Sequence, residues 1–218
     1  MQFVLLYLSV FLSMMLAYLL GSINFALVIS RVFYHKDIRD YGSGNAGMTN
    51  VLRTFGKIPA VLTLLGDFLK GIIVIFVADV LITYLGGYPD FMLGLEIVGL
   101  FALLGHVYPI YYNFKGGKGV LVSAGIILAL DPLTLGILVL VFLLFFGVTR
   151  IISVGSIAAA ITYPITTLII NILQSLSIFT IITNVFIALL YAAFILYLHR
   201  ANIKRLLAGE EPKIGENH

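Results

Sequence analysis

Cysteine is absent from these 218 residues, and charged side chains make up only 11% of them. Without cysteine there is no disulfide framework, no thiolate nucleophile and no Cys-based metal site. Four scattered histidines argue against a metal centre, and no nucleic-acid partner is expected. The chain also lacks a low-complexity linker, a block of like charge, a strong internal repeat and any sign of a second domain, so residues 1–218 read as one domain. What fills the sequence instead is apolar: 61% of the residues are hydrophobic and the mean hydropathy is +1.11. Such a composition belongs to an integral membrane protein built from helices.

Seven apolar segments follow in order. The first, about Gln2 to Ser30, is too long and too flecked with polar residues (Ser22, Asn24) for a cleaved signal and reads as a retained span. The second, about Ile58 to Leu85, carries Asp67 and Lys70 near its start; the third runs from about Phe91 to Tyr112. The fourth, about Lys118 to Leu130, rises only ~20 Å, short of the ~30 Å hydrocarbon core. The fifth starts at Asp131-Pro132 and ends near Val148. Ile152–Leu173 and Ile178–Leu198 are the sixth and seventh, and a basic tail runs from His199 to His218. The expectation is therefore an all-α membrane protein of about seven transmembrane helices, one of half length. Of the 13 Lys and Arg, 12 fall in the loops after segments one, three, five and seven, and the other is Lys70. The opposite loops carry Asp90 and Asp131 instead. The positive-inside rule then puts the N-terminus outside and the C-terminus in the cytoplasm.

Three polar clusters stand out, all on the cytoplasmic side of that topology. Ser43-Gly44-Asn45-Ala46-Gly47-Met48-Thr49-Asn50-Val51-Leu52-Arg53 offers hydroxyls, amides, two glycines beyond its start and a guanidinium fork. With a helix starting near Ala46, Asn45, Thr49 and Arg53 share one face, and its free N–H groups make a phosphate cradle; the plain alternative is a helix-capping loop. Gly105-His106 to Pro109, then Phe114-Lys115-Gly116-Gly117-Lys118-Gly119, is a second anion site opening the undersized helix. It fails as a Walker A loop, because Lys118 is followed by Gly and a membrane helix precedes it; ordinary flanking lysines are the alternative. The third cluster is His199-Arg200-Ala201-Asn202-Ile203-Lys204-Arg205, then Gly209-Glu210-Glu211-Pro212, in which His199 and Asn202 share a face while Lys204 and Arg205 suit anionic lipid. Asp67 and Lys70 read as a neutralising brace inside the membrane. Ser153 is either a site hydroxyl or bonded to its own helix. Glu96 and Asp79 have no account. Two cationic, glycine-bearing clusters at a lipid surface imply transfer between a water-soluble phosphate compound and a lipid-side one.

At these residues the sequence resembles the bacterial acyl-phosphate:glycerol-3-phosphate acyltransferases, the PlsY family, over essentially the whole chain. The likeness rests on Ser-Gly-Asn-x-Gly-x-Thr-Asn-x-x-Arg at Ser43–Arg53, Gly-His-x-x-Pro…Phe-Lys-Gly-Gly-Lys-Gly at Gly105–Gly119, and His-Arg-x-Asn-Ile-x-Arg…Gly-x-Glu-Pro at His199–Pro212. The resemblance implies transfer of a fatty acyl group from acyl phosphate to the 1-hydroxyl of glycerol 3-phosphate, giving lysophosphatidic acid and phosphate. It implies no cofactor, a multi-pass protein of the bacterial cytoplasmic membrane with its active site facing the cytoplasm, contact with membrane lipid, and a donor supplied by a soluble PlsX-type phosphate acyltransferase. Carried over by position, it implies a site lined by Ser43, Arg53, Lys115, His199, Asn202 and Ser153. Asn45, Gly47, Thr49, Asn50, His106, Gly116, Gly117 and Lys118 complete or support it, and Glu211 is the matching acid. Met48, Ala201 and Glu210 stand at variable places.

A mixed anhydride needs mainly positioning and charge stabilisation. The expected division gives Arg53 and the Ser43–Thr49 amides and hydroxyls to one phosphate, and Lys115 with the Gly116 and Gly117 amides to the other. Either His199 or His106 takes the glycerol proton, or the donor's own phosphate oxygen does; the last is preferred, because neither histidine has a carboxylate beside it in sequence. Ser43 as an acyl-enzyme nucleophile lacks a base nearby. His35 and Asp40 match the His-x-x-x-x-Asp pattern of the other glycerol-phosphate acyltransferase class, but in a basic loop with no soluble catalytic domain around it. A transporter or exchanger of organic phosphates is the reading from another class, with broken helices in its favour and one-sided polar clusters against it.

Overall fold

A computed structural model describes residues 2–89 and 91–215. Asp90 and the last residues of the basic tail, on which the loop-charge and tail readings touch, lie outside the described residues. Every regular element among them is helical. Six stretches are long and apolar enough to cross a membrane, with one shorter apolar helix at Val120–Leu130, so the expected all-α membrane architecture is what the chain adopts. The backbone gathers into two compact units that divide between Leu130 and Asp131.

In the first unit, the first segment is two helices, α1 (Gln2–Gly21) and α2 (Phe25–Tyr34), and not one. Asn24 breaks it: its backbone is extended and its side-chain Oδ1 accepts the N–H of Leu27, capping α2. Just upstream, the Ser22 hydroxyl bonds back to the Tyr18 carbonyl. The short α3 (Met48–Phe55) and α4 (Lys57–Leu81) follow, and α4 runs on into a single π-turn at Ile82–Gly86. Then come α5 (Met92–Val107) and α6 (Val120–Leu130). At 11 residues α6 rises about 17 Å, half a bilayer and no more.

Burial along α4 shows why the sequence packs as it does. Ala60, Thr63, Asp67, Lys70, Gly71, Val74, Ile75 and Ala78 recur at three- and four-residue steps and are buried, while Leu65, Leu69, Ile73 and Phe76 between them are exposed. The inward stripe thus holds the small and polar residues and the outward face the large apolar ones, the pattern of a helix packed by close approach in lipid. Gly71 and Gly125 bring α4 and α6 together: a Cβ on Gly71 would lie 2.5 Å from the Val122 carbonyl oxygen, and one on Gly125 would overlap that of Phe68. Helix α1 packs chiefly on α5 and also on α4.

The second unit is a run of consecutive helices, α7 (Pro132–Thr149), α8 (Ile152–Leu173), α9 (Ile178–Leu198) and α10 (Arg200–Leu207), with α8 packed on both α7 and α9. Asp131 caps α7 by accepting the Thr134 N–H at 3.1 Å, with Pro132 in the first turn. Ser177 caps α9 in the same way. Arg150 closes α7 in a left-handed conformation, φ 60°, which lets α8 begin two residues later.

Substituting Gly125→Ala is expected to cost about 1–3 kcal/mol, because backbone on α4 must move aside. Gly136→Ala on α7, where an added Cβ meets nothing within 4 Å, is the control and should leave the midpoint of thermal unfolding in detergent unchanged or slightly raised.

Candidate functional site

The first unit carries two of the three motifs, and the structure ties their loops together. After α2 ends at His35, itself a left-handed cap, Asp37 turns the chain. Its carboxylate accepts from the Arg39 backbone N–H, from Arg39 Nε and Nη2 at 2.9 and 2.7 Å, and from Arg31 Nη2 at 2.8 Å. The Arg39 hydrogen bond, with Arg31 adding to it, outweighs partial burial and holds Asp37 well below the usual carboxylate range. Arg39 uses its remaining reach on the other loop, where Nη1 donates to the Tyr112 and Lys115 carbonyls at 2.8 and 3.0 Å. His35 is therefore a helix cap, and among the described residues no hydrogen bond or ion pair joins it to Asp40.

Motif one folds around Asn50. Its buried side chain accepts the Ser43 N–H at 3.0 Å and donates to the carbonyls of Ile38, Tyr41 and Asn45 at 2.9–3.1 Å. With its donors and acceptor so used, Asn50 organises the loop from within. Helix α3 starts at Met48, with Gly47 as an extended N-cap, two residues later than the sequence suggested. Asn45 thus lies outside the helix, and only Thr49 and Arg53 remain one turn apart on its face. Among the described residues no hydrogen bond claims the Met48 or Thr49 N–H, so the first turn of α3 presents two amides beside the Thr49 hydroxyl. Ser43 is exposed on the loop before it. Beneath, Ala46, Val51, Leu27 and Ile38 close a small apolar core.

Motif two departs from its expected role in one respect. The Gly116 and Gly117 N–H groups, assigned to a phosphate, donate to the Val107 and His106 carbonyls at 3.0 and 3.2 Å. They fold the loop back on the end of α5 and are spent. What the glycines supply is closeness: a Cβ on Gly117 would lie 2.5 Å from the Ala46 carbonyl oxygen and overlap the His106 ring. Motif one and motif two thus meet at Gly117. Lys115 is exposed and Lys118 half-buried at the mouth of α6. His106 is buried, with Nδ1 2.9 Å from Lys70 Nζ.

In the second unit the polar residues gather on Glu211. Its Oε1 accepts from the Ser153 hydroxyl at 2.7 Å and the Asn202 amide at 2.5 Å, and Oε2 from Arg205 Nε at 2.7 Å. Burial opposes its charge, but the bonds from Asn202, Ser153 and Arg205 win and hold the carboxyl below the ordinary glutamate range. Arg205 is thereby turned to this acid, where the sequence suggested lipid headgroups. The Ile214 N–H donates to the Arg150 carbonyl at 2.9 Å, so the tail straps the start of α8 to α10. His199, at the break between α9 and α10, has Nδ1 2.8 Å from the Ile195 carbonyl. A carbonyl only accepts, so Nδ1 carries a hydrogen.

Three participants escaped the sequence reading. Arg39 holds the two loops, Asn24 donates to the Ala46 carbonyl at 3.2 Å and Arg205 holds Glu211, yet neither arginine shows a spacing that separates it from its neighbours. Asn24 alone had a usable signal, the helix-cap residue three before Leu27. Among the described residues no three His, Asp or Glu side chains cluster as a metal site.

The chain is similar throughout to proteins of one family. The profile described as glycerol-3-phosphate acyltransferase matches residues 11–209. A glycerol-3-phosphate acyltransferase of Syntrophomonas wolfei is 44% identical over 201 residues, covering 92% of this chain and 95% of that one. Another from Neisseria meningitidis is 40% identical over 200 residues, covering 92% and 94%. The crystal structure of PlsY (YgiH), an integral membrane glycerol 3-phosphate acyltransferase, in its glycerol 3-phosphate form superposes with a TM-score of 0.80 at 37% identity, over 95% of this chain and 96% of that one. Its lysophosphatidic acid form gives 0.78 at 36%, with the same coverage.

Because the folded-state value of Glu211 is depressed, its bracing is fully present at neutral pH. It is lost as the pH falls from the ordinary glutamate value through the lower folded one. Thermal midpoints followed from neutral pH into that acid range should fall less steeply for Glu211→Gln than for the parent. Arg39→Lys, which cannot form the fork to Asp37 and both carbonyls, should lower acyltransferase activity about tenfold or more while the chain stays folded.

Proposed function

Because the chain belongs to the glycerol-3-phosphate acyltransferase family, we propose that it takes its acyl group from an acyl phosphate and forms lysophosphatidic acid and inorganic phosphate. The observation that carries this reading is the joining of two cationic loops: Arg39 bonds the Tyr112 and Lys115 carbonyls, and Gly117 closes against Ala46. Two anion-binding stretches held in one frame suit a reaction whose two substrates each bear a phosphate.

In the transfer, the glycerol 1-hydroxyl oxygen forms a bond to the acyl carbon while the bond from that carbon to the phosphate oxygen breaks. The electron pair leaves with phosphate, and the hydroxyl proton ends on a phosphate oxygen. Phosphate is a good leaving group, so the protein's task is orientation and charge stabilisation. Arg53, Thr49, Ser43 and the first-turn amides of α3 hold one phosphate. Lys115, assisted by Lys118, holds the other as a point charge, without the glycine amides. Asn50, Gly47, Gly116 and Gly117 shape the loops, and Asn45 bridges them to α3.

Of the second unit, Ser153 and Asn202 are held rigid by Glu211 and contribute polar contacts to the substrates. His199, tied through Nδ1 to the Ile195 carbonyl, joins them. The donor's phosphate oxygen remains the preferred proton acceptor, because a carbonyl orients His199 but adds no negative charge to raise its basicity. The lysine and arginine distribution supports a site on the cytoplasmic side, and the family resemblance extends this to the bacterial inner membrane, with a soluble PlsX-type enzyme feeding the donor.

Purified protein given palmitoyl phosphate and glycerol 3-phosphate in detergent should release inorganic phosphate and lysophosphatidic acid, and palmitoyl-coenzyme A should not replace the donor. No phosphate release with both substrates present would overturn the reading. Arg53→Ala should lower kcat/KM about 10²–10³-fold. A pH–rate profile of His199→Ala that keeps the parent's shape and rate supports the substrate-assisted route; loss of its acid limb assigns the base to His199.

A further inference from the structure

Lys70 lies inside the first unit with its side chain only 7% exposed, beside Asp67 at 2% and His106 at 4%. An ammonium in hydrocarbon must place its three N–H donors, and Lys70 places each on a different element. Nζ is 2.7 Å from Asp67 Oδ1 one turn back on α4, 2.7 Å from the Ile23 carbonyl in the break between α1 and α2, and 2.9 Å from His106 Nδ1 on α5. Asp67 Oδ1 also accepts the Phe25 N–H, on the far side of that break, at 3.3 Å. It is 3.6 Å from His106 Nδ1, too far to compete for that nitrogen. Nδ1 therefore accepts from Lys70, and the ring hydrogen sits on Nε2.

Each of these attachments leads one step further, to a motif. Between Ile23 and Phe25, Asn24 donates to the Ala46 carbonyl of motif one at 3.2 Å. From His106, the carbonyl accepts the Gly117 N–H and the ring packs on Gly117 of motif two. Resting on the acyl-transfer reading above, we propose that Asp67, Lys70 and His106 are positioning residues for glycerol 3-phosphate: a buried tripod that sets the two phosphate-binding loops against each other without touching substrate. A buried ion pair that merely neutralises itself can be exchanged for apolar side chains with little loss. This one fixes a carbonyl and an imidazole as well, and an apolar pair restores neither bond.

That difference is the test. In the full-length protein in detergent, Lys70→Met strands the Asp67 charge and should lower the thermal midpoint. The double variant Asp67→Leu with Lys70→Met should recover the midpoint while KM for glycerol 3-phosphate stays about 10- to 100-fold above the parent and kcat falls by less. A double variant with parental KM and kcat overturns the proposal. Where the double variant does not fold, His106→Asn and His106→Leu decide. Asn keeps an acceptor near Nδ1 and should hold KM within about threefold, whereas Leu should raise it at least about tenfold; equal KM values for the two overturn the proposal. Equilibrium binding of glycerol 3-phosphate to the same variants reads the same differences whatever the donor. A parent that releases no phosphate from acyl phosphate then counts against the donor reading alone.

Discussion

Inside hydrocarbon a charged amine has no water to fall back on, so the backbone around Lys70 is arranged to receive it. Its three bonds reach α4, α5 and the gap between α1 and α2, and the gap exists because Asn24 caps a new helix there. Taking away one partner of such a pair leaves an uncompensated charge worth about 3–5 kcal/mol, a large share of the stability of most domains. The helical scaffold of the first unit and the placement of its loops therefore share one buried electrostatic constraint.

Around that point the loops follow an economy of donors and acceptors. Residues that look like ligands in the sequence are in several cases the ones that fold the loop: Asn50 spends its amide on backbone, and the Gly116 and Gly117 N–H groups close onto α5. This leaves Thr49, Arg53 and Lys115 with their backbone supports already fixed. Glu211 plays the matching part in the second unit, gathering Ser153, Asn202 and Arg205 on one carboxylate. A carboxylate so surrounded is a holder of donors.

Much of this was legible from residue order alone. Hydropathy set the spans, including the half-length α6, because each helix in lipid must satisfy its own backbone and be long enough to do so. The three motifs stood out by their polarity in an apolar chain, and the structure ties the loops of the first two together. The break in the first span was less visible, since Ser22 and Asn24 in an apolar run look like tolerated flecks until the Leu27 N–H is seen on Asn24. The start of α3 was misplaced by two residues because Asn45 and Gly47 are both acceptable caps, and the Asn50 bonds to Tyr41 and Asn45 decide between them. Arg39 was hidden among other basic residues: positive loops are expected on topological grounds, and sequence spacing does not tell a clamp from a flank.

The two clamps on these loops differ in how much solvent they see. Asp37 keeps 20% of its side chain exposed, whereas Asp67 keeps 2%. Counterions reach the first and not the second, since at physiological ionic strength exposed charges are screened over about 8 Å and buried ones hardly at all. Ionic strength therefore acts on the outer clamp and on the capture of anionic molecules, while the inner one is indifferent to it. The loops are in this sense referenced to the interior of the membrane, and a rise or fall of the salt around them leaves that reference where it was.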